Sequence, residues 1–170
     1  MNKQFIISAV IAIAAIIGLQ GYTSAETAKV VPAFEMRDLQ EVEHRLTDDK
    51  FKDKQLLIVG FGTWQDVSIK QAAQIESFHR ANPEVEIIAF IIDDLPAARD
   101  FRAEQKLSFP CYKMDRVSNL SNTLGRLFET KKGKNYTMNQ LPFTILTDKK
   151  RAVKFSNVGL TDAKTLTANK

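Results

Sequence analysis

Cysteine and histidine are scarce in this chain of 170 residues. It contains one cysteine, Cys111, and two histidines, His44 and His79. One cysteine cannot close a disulfide within the chain, so the fold must be held together by core packing. Neither histidine is spaced from other strong ligands in the way that a zinc or copper site requires. We therefore expect no metal centre and no cofactor.

The chain also lacks a concentration of charge of one sign. Its 24 basic and 20 acidic residues, a net charge of +4, are intermixed along the sequence. No predicted helix or loop combines clustered arginine with interleaved aromatic residues, which is the pattern of nucleic-acid surfaces. We therefore expect no nucleic-acid partner. With 44% hydrophobic residues, the chain suits one domain with a substantial core.

A long uncharged apolar run lies near the N-terminus, over residues 5–19. It follows the positive Lys3 and precedes Thr23-Ser24-Ala25, whose small side chains suit a signal peptidase. The run is shorter than the roughly 20 apolar residues that span a bilayer. We predict a cleaved signal peptide over residues 1–25 and a single domain over residues 26–170. An uncleaved anchor over residues 5–19 is the alternative. Both place the domain outside the cytoplasm, in the periplasm or otherwise exported.

Two nearly continuous apolar runs, residues 55–61 and 85–92, predict buried strands, and each is followed by a helical pattern. The first helix is predicted to be capped by Asp66. Its predicted inward positions are Ser68, Ala72, Ile75 and Phe78. The second helix is predicted to begin at Pro96 and to end near Lys106. Its predicted inward residues are Ala97, Phe101 and Leu107.

The C-terminal part of the chain adds a hairpin and two helices. A short helix is predicted over residues 120–128, and the polar residues 129–140 are predicted to form a loop. Residues 142–156 are typical of a hairpin of half-buried antiparallel strands. A last helix is predicted to begin at Asp162 and to be capped by Thr161.

The order strand, helix, strand, helix, hairpin, helix indicates the fold class. Right-handed crossovers make the first two strands parallel neighbours with helices packed across them, and the hairpin extends the same sheet. The sequence therefore predicts an α/β domain with a thioredoxin-like fold, in which a central mixed sheet is flanked by helices.

Four short motifs occur in order along the chain. They are Gly60-Phe61-Gly62-Thr63-Trp64, Phe90-Ile91-Ile92-Asp93-Asp94, Leu107-Ser108-Phe109-Pro110 with Asp115 after it, and Gln140-Leu141-Pro142-Phe143-Thr144-Ile145-Leu146-Thr147-Asp148. They resemble four motifs of the TlpA/ResA-like thioredoxin-fold family, which is related to the peroxiredoxins. In the same order, the family motifs are "F-x-A-T/S-W" before the CxxC, "V-x-V-D-D", "L-x-F-P…D" and "G-x-P-x-T-F-L-I-D". The resemblance covers roughly residues 32–166. It implies that Pro142 is a cis-proline lying against the redox loop.

The chain departs from that family at the redox loop itself. Trp64-Gln65-Asp66-Val67-Ser68 stands where the family has Trp-Cys-x-x-Cys, so Gln65 and Ser68 occupy the two redox positions. The Thr-x-x-Cys of peroxiredoxins is absent as well, because Asp66 stands at its cysteine position. The resemblance therefore implies a redox loop without dithiol chemistry.

The same stretch also resembles the "T-x-C-P-D-V-C" loop of Sco copper chaperones, which share the fold. In that register Trp64 and Ser68 replace the two copper-binding thiolates. Copper binding is not expected, because an indole and a hydroxyl are poor ligands for a soft metal. Ser68 is not expected to be a nucleophile either, because His79 lies about three turns along the same helix. We predict no catalytic residue.

Three functions remain open. In the first, the chain is an exported module that binds a protein partner on a surface formed by Trp64, Gln65, Asp66, Val67, Ser68, Leu141 and Pro142. In the second, Cys111 is a reactive thiol whose pKa Lys113 and Arg116 could lower if it is exposed. In the third, the chain is an accessory subunit of an envelope assembly, with residues 129–140 as the contact. We favour the first, because an exposed aromatic beside a concave edge suits peptide binding.

Overall fold

The computed structural model describes residues 29–128 and 140–170. Within these residues the chain forms one seven-stranded sheet and four α-helices. The strands are β1 (Glu35–Asp38), β2 (Glu43–Arg45), β3 (Leu56–Gly62), β4 (Glu86–Ile92), β5 (Cys111–Lys113), β6 (Phe143–Thr147) and β7 (Val153–Val158). The helices are α1 (Asp66–Ala81), α2 (Leu95–Glu104), α3 (Asn119–Gly125) and α4 (Ala163–Ala168), and a short 3-10 helix spans Asp49–Phe51.

The strand order in the sheet is β2-β1-β5-β4-β3-β6-β7. Strands β3, β4 and β5 are parallel, and the remaining neighbours pair antiparallel. The predicted thioredoxin-like α/β fold is therefore confirmed: the two apolar runs are parallel neighbours, and the hairpin β6–β7 continues the sheet beyond β3. Strands β1 and β2 lie at the other end of the sheet, beyond β5.

The sheet separates two apolar clusters, one on each face. Leu56 and Ile58 of β3 belong to the cluster that includes Leu124 of α3, whereas Leu57 and Val59 pack in the cluster that contains residues of α1, α2 and α4. Every residue of β3 is buried. Burial on both faces explains why its sequence is a continuous apolar run with no alternation.

Helix α1 presents the predicted inward face, since Ser68, Ala72, Ile75 and Phe78 are all buried. Its predicted cap is wrong by one position. Gln65 is the N-cap and makes no side-chain capping bond, while Asp66 is the first helical residue. An acidic side chain in the first turn still interacts favourably with the positive end of the helix dipole.

Two further predictions are corrected: the cap of α4 and the inward-facing alanine of α2. Asp162, not Thr161, caps α4 and accepts a hydrogen bond from the Thr165 N–H. Thr161 is instead buried, and its N–H donates to Gln71 of α1 at 2.6 Å. In α2 the buried alanine is Ala98 rather than the predicted Ala97.

The hairpin is less symmetric than its sequence predicts. Strand β6 is buried at all five positions, because it lies between β3 and β7 under both apolar clusters. Only β7, the edge strand, is half-buried as expected. Helix α3 ends at Gly125, three residues before the predicted end.

Candidate functional site

The turn between β3 and α1 is closed by the side chain of Ser68. Its Oγ accepts a hydrogen bond from the Gly62 N–H at 3.0 Å and donates to Oε1 of Gln65 at 3.5 Å. Ser68 is fully buried, so the hydroxyl satisfies a backbone N–H that would otherwise be unpaired. The side chains at the two predicted redox positions therefore face each other, and the hydroxyl is occupied by structural hydrogen bonds.

The Sco-like register pairs Ser68 with Trp64, and the geometry does not favour it. The Ser68 hydroxyl contacts Gln65. The indole of Trp64 lies under the guanidinium of Arg116, whose Cζ is 3.9 Å from the ring centroid.

Trp64 lies at the surface, with 45% of its area exposed. Its six-membered ring covers Gly62, where an added Cβ would lie 3.0 Å from Cζ2 of Trp64 and 3.1 Å from Cδ1 of Leu141. Gly62 thus allows the indole and Leu141 to approach each other. This exposure favours a role of Trp64 in surface recognition over a role in buried packing.

The Leu141–Pro142 peptide bond is cis, as the resemblance implies. The carbonyl of Pro142 accepts a hydrogen bond from the Gly159 N–H at 2.7 Å. This bond brings the end of β7 alongside, where Val158 and Leu160 are 38% and 49% exposed. No local sequence pattern marks either residue, because they join the site only through strand pairing.

We call these residues, Trp64, Leu141, Pro142, Val158 and Leu160, the Trp64–Pro142 surface. Two of its members, Leu141 and Pro142, are buried and form its floor. The other three are among the exposed large apolar residues of residues 29–128 and 140–170. Thr63 lies in the turn between β3 and α1. Its hydroxyl donates a hydrogen bond to the Asp93 carboxylate at the end of β4, which connects this turn to the neighbouring strand. The surface is thus held by two contacts, that of Trp64 and Leu141 over Gly62 and that of Gly159 with Pro142.

Cys111 lies in the core at the start of β5, with 3% of its area exposed. Its thiol donates a weak hydrogen bond to the Phe109 carbonyl at 3.7 Å. Burial raises the pKa of Cys111 to about 12, against a smaller lowering by Arg102. The reactive-thiol interpretation thus lacks the exposure that it requires, since the thiolate is the reactive form. The cations on which that interpretation depends are engaged elsewhere: Lys113 pairs with Asp115, and Arg116 covers Trp64.

A groove of about 480 Å³ opens between β1 and the segment that follows β5. Its lining includes the carboxylates of Glu35, Asp38, Glu41 and Glu43. Burial alone would raise the pKa of Asp38, but hydrogen bonds from His44, Val42 and Gln40 outweigh it and hold that pKa below its usual value. Within the part of the chain that the structure describes, no three His, Cys, Asp or Glu side chains are arranged to hold a metal ion.

Two predicted features fall outside the described residues. They are the segment over residues 1–25 and the loop over residues 129–139. Among residues 29–128 and 140–170, no helix combines the length and the hydropathy needed to cross a membrane.

Solved structures that share this fold include several thiol-disulfide proteins. The chain is similar to a thiol-disulfide oxidoreductase from Bacteroides fragilis, with 15% identity and a TM-score of 0.66, over 82% of this chain and 97% of that one. It is similar to a DsbF homologue from Corynebacterium diphtheriae, with 16% identity and a TM-score of 0.69, over 84% and 85% of the two chains. A secreted thiol-disulfide isomerase from Corynebacterium glutamicum gives 15% identity and a TM-score of 0.66, over 81% of each chain. At such identities the likeness shows the fold alone.

No curated protein sequence matches the chain significantly. A profile of the Redoxin family matches residues 25–168, which include every strand and helix described above. Because this match extends over most of the sequence, the chain belongs to the Redoxin family.

Proposed function

We propose that this protein is an exported thioredoxin-fold module that binds an extended segment of a partner protein on the Trp64–Pro142 surface, without dithiol chemistry. The observation that carries the proposal is the exposed indole of Trp64, held over Gly62 beside Leu141 and the cis-proline. No cysteine lies in the adjoining turn.

The proposed loss of redox activity follows from the side chains at the start of α1. A helix N-terminus stabilises a thiolate and lowers its pKa, which suits Cys-x-x-Cys chemistry. In this chain the corresponding groups are the amide of Gln65 and the hydroxyl of Ser68. The Ser68 hydroxyl bonds to Gly62 and Gln65, and His79 of the same helix packs edge-on against Phe109, so this histidine does not activate the hydroxyl as a base. We place the chain near the TlpA/ResA-like branch of its family, as a member that has lost the cysteine pair.

The proposed binding mode needs only an apolar contact and backbone hydrogen bonds. An extended segment gains affinity from main-chain bonds and specificity from side-chain contacts. Trp64 provides a large, rigid aromatic contact, and Val158 and Leu160 extend the apolar area past Pro142. None of these contacts depends on a thiol, so a chain without redox cysteines can retain the binding surface.

We further propose that residues 1–25 act as an export signal and that residues 26–170 form the folded domain. The apolar run over residues 5–19 supports this location. Two similar structures are described as secreted proteins, one from Corynebacterium glutamicum and one from Mycobacterium tuberculosis. The partner would then be a protein of the cell envelope.

The Trp64→Ala variant tests the proposed surface. Tagged chain isolated from its own host under native conditions is expected to retain a partner, and Trp64→Ala is expected to reduce that partner at least about tenfold, because tryptophan contacts often dominate an interface. The recovery is measured by quantitative mass spectrometry. The control is Val42→Ala, which truncates another exposed apolar residue at the turn between β1 and β2. Equal loss in both variants, or none in Trp64→Ala, would exclude this surface as the binding site.

A further inference from the structure

Arg116 is an exposed cation placed directly on the proposed binding surface. It follows β5 in the chain, and its guanidinium Cζ lies 3.9 Å from the centroid of the Trp64 ring. A guanidinium packed against an indole gains from cation–π attraction. The contact therefore holds the cation beside Trp64 before any partner is present.

The charge of Arg116 is not neutralised within the described residues. None of the ion pairs and side-chain hydrogen bonds among residues 29–128 and 140–170 uses its guanidinium. The neighbouring carboxylate, Asp115, is bound to Lys113 instead. Asp66, the acidic residue in the first turn of α1, is not within salt-bridge distance of Arg116 either.

The hydrogen-bonding edge of the Arg116 guanidinium has no acceptor among the ion pairs and hydrogen bonds of residues 29–128 and 140–170, while its Cζ lies over the Trp64 ring. Arginine carries five N–H donors in a planar fork that matches a carboxylate in two parallel hydrogen bonds. A carboxylate that approached this edge would sit next to the apolar surface formed by Trp64 and Leu141.

We propose that Arg116 binds a carboxylate of the partner segment, either an aspartate or glutamate side chain or the C-terminus of the segment. This inference rests on the proposed function and specifies the chemistry of the partner: an extended segment with a carboxylate beside an apolar residue. The apolar residue packs on Trp64, and the carboxylate pairs with the guanidinium stacked on the same ring. The two contacts together set the register of the segment on the Trp64–Pro142 surface.

Three short peptides distinguish the sources of the carboxylate. Acetyl-Val-Leu-Glu-Val-amide carries it on a side chain, acetyl-Val-Leu-Gln-Val with a free C-terminus carries it at the end, and acetyl-Val-Leu-Gln-Val-amide carries none. Trp64 is the single tryptophan of the chain, so its emission reports binding to the full-length protein directly. At low ionic strength we expect at least one carboxylate peptide to bind about tenfold more tightly than the neutral one.

Variants of Arg116 assign that preference. Arg116→Gln is expected to remove it, and Arg116→Lys, which keeps the charge but not the planar fork, to retain only part of it. Arg151→Gln removes the same charge at the turn between β6 and β7, at the other end of β6 from Pro142, and is expected to retain the full preference.

Two results would overturn the carboxylate proposal: equal binding of all three peptides, or a preference that survives Arg116→Gln. Equal binding of the three peptides would be compatible with the proposed surface and would exclude only carboxylate binding by Arg116. Failure of every peptide to bind at millimolar concentration would also overturn it, and the Trp64→Ala recovery experiment then decides the proposed function separately.

Discussion

A double variant with Gln65→Cys and Ser68→Cys is expected to gain the thiol-disulfide activity that we propose the natural chain lacks. The two side chains already face each other, with Oγ of Ser68 3.5 Å from Oε1 of Gln65. Both positions lie at the start of α1, where the helix dipole lowers the pKa of a thiol.

Reduction of insulin by dithiothreitol, followed by turbidity, measures this gain. The natural chain is expected to stay at the uncatalysed rate and the double variant to exceed it clearly. The matched control is Trp64→Cys with Ser68→Cys, which creates the Sco-like spacing and is expected to remain inactive, because Ser68 faces Gln65. Activity in the natural chain would contradict the proposed loss of redox chemistry. Activity in the control alone would show that the register is shifted by one residue.

Gly60→Ala is expected to lower the free energy of unfolding by about 2–3 kcal/mol, the upper part of the usual cost of overpacking a core. Gly60 lies in β3 opposite Phe143 of β6, and the aromatic ring occupies the space that a side chain would need. An added Cβ would lie 2.1 Å from Cε1 of Phe143. Because strand β3 leads directly into the turn at Trp64, the site depends on this close packing. Urea denaturation followed by Trp64 emission measures the loss.

A second substitution shows whether the clash with Phe143 is the cause. In the double variant Gly60→Ala with Phe143→Leu, the loss is expected to be smaller than the sum of the two single losses by about 1–2 kcal/mol, because residues in contact do not act additively. Strict additivity would mean that the alanine is accommodated without touching the ring. The destabilisation would then have another origin, such as a change in the pairing of β3.

Strands β3 and β4 could be predicted because complete burial produces a recognisable sequence pattern. Residues of β3 and β4 are covered on both faces, so each reads as an unbroken apolar run. Strands β1 and β2 have no such pattern, since they have four and three residues and expose many of them. Helix caps were misplaced by one residue, because the choice between neighbouring candidates such as Thr161 and Asp162 depends on backbone geometry and tertiary contacts. Thr161 is held by Gln71, which lies ninety positions earlier in the chain.

The candidate site could be predicted in part. The stretch from Trp64 to Ser68 and the proline at position 142 were identified from local motifs, because each motif is continuous in sequence. Val158 and Leu160 were missed, since they reach Pro142 only through the Gly159 hydrogen bond. Arg116 was assigned to the wrong neighbour: sequence proximity suggested Cys111, whereas the side chain covers Trp64. Contacts between distant segments carry no local sequence pattern.

Site-specific photo-crosslinking in the native host tests the central claim most directly. A benzoylphenylalanine is placed at position 160, an exposed position of the Trp64–Pro142 surface, in a chain that also carries Cys111→Ser. We expect a light-dependent adduct with a protein of the cell envelope, which is absent when the probe is placed at position 42. The absence of any adduct at position 160 would contradict the proposed binding surface. So would an adduct that forms without light in the natural chain and disappears with Cys111→Ser, because the partner would then be held by a thiol.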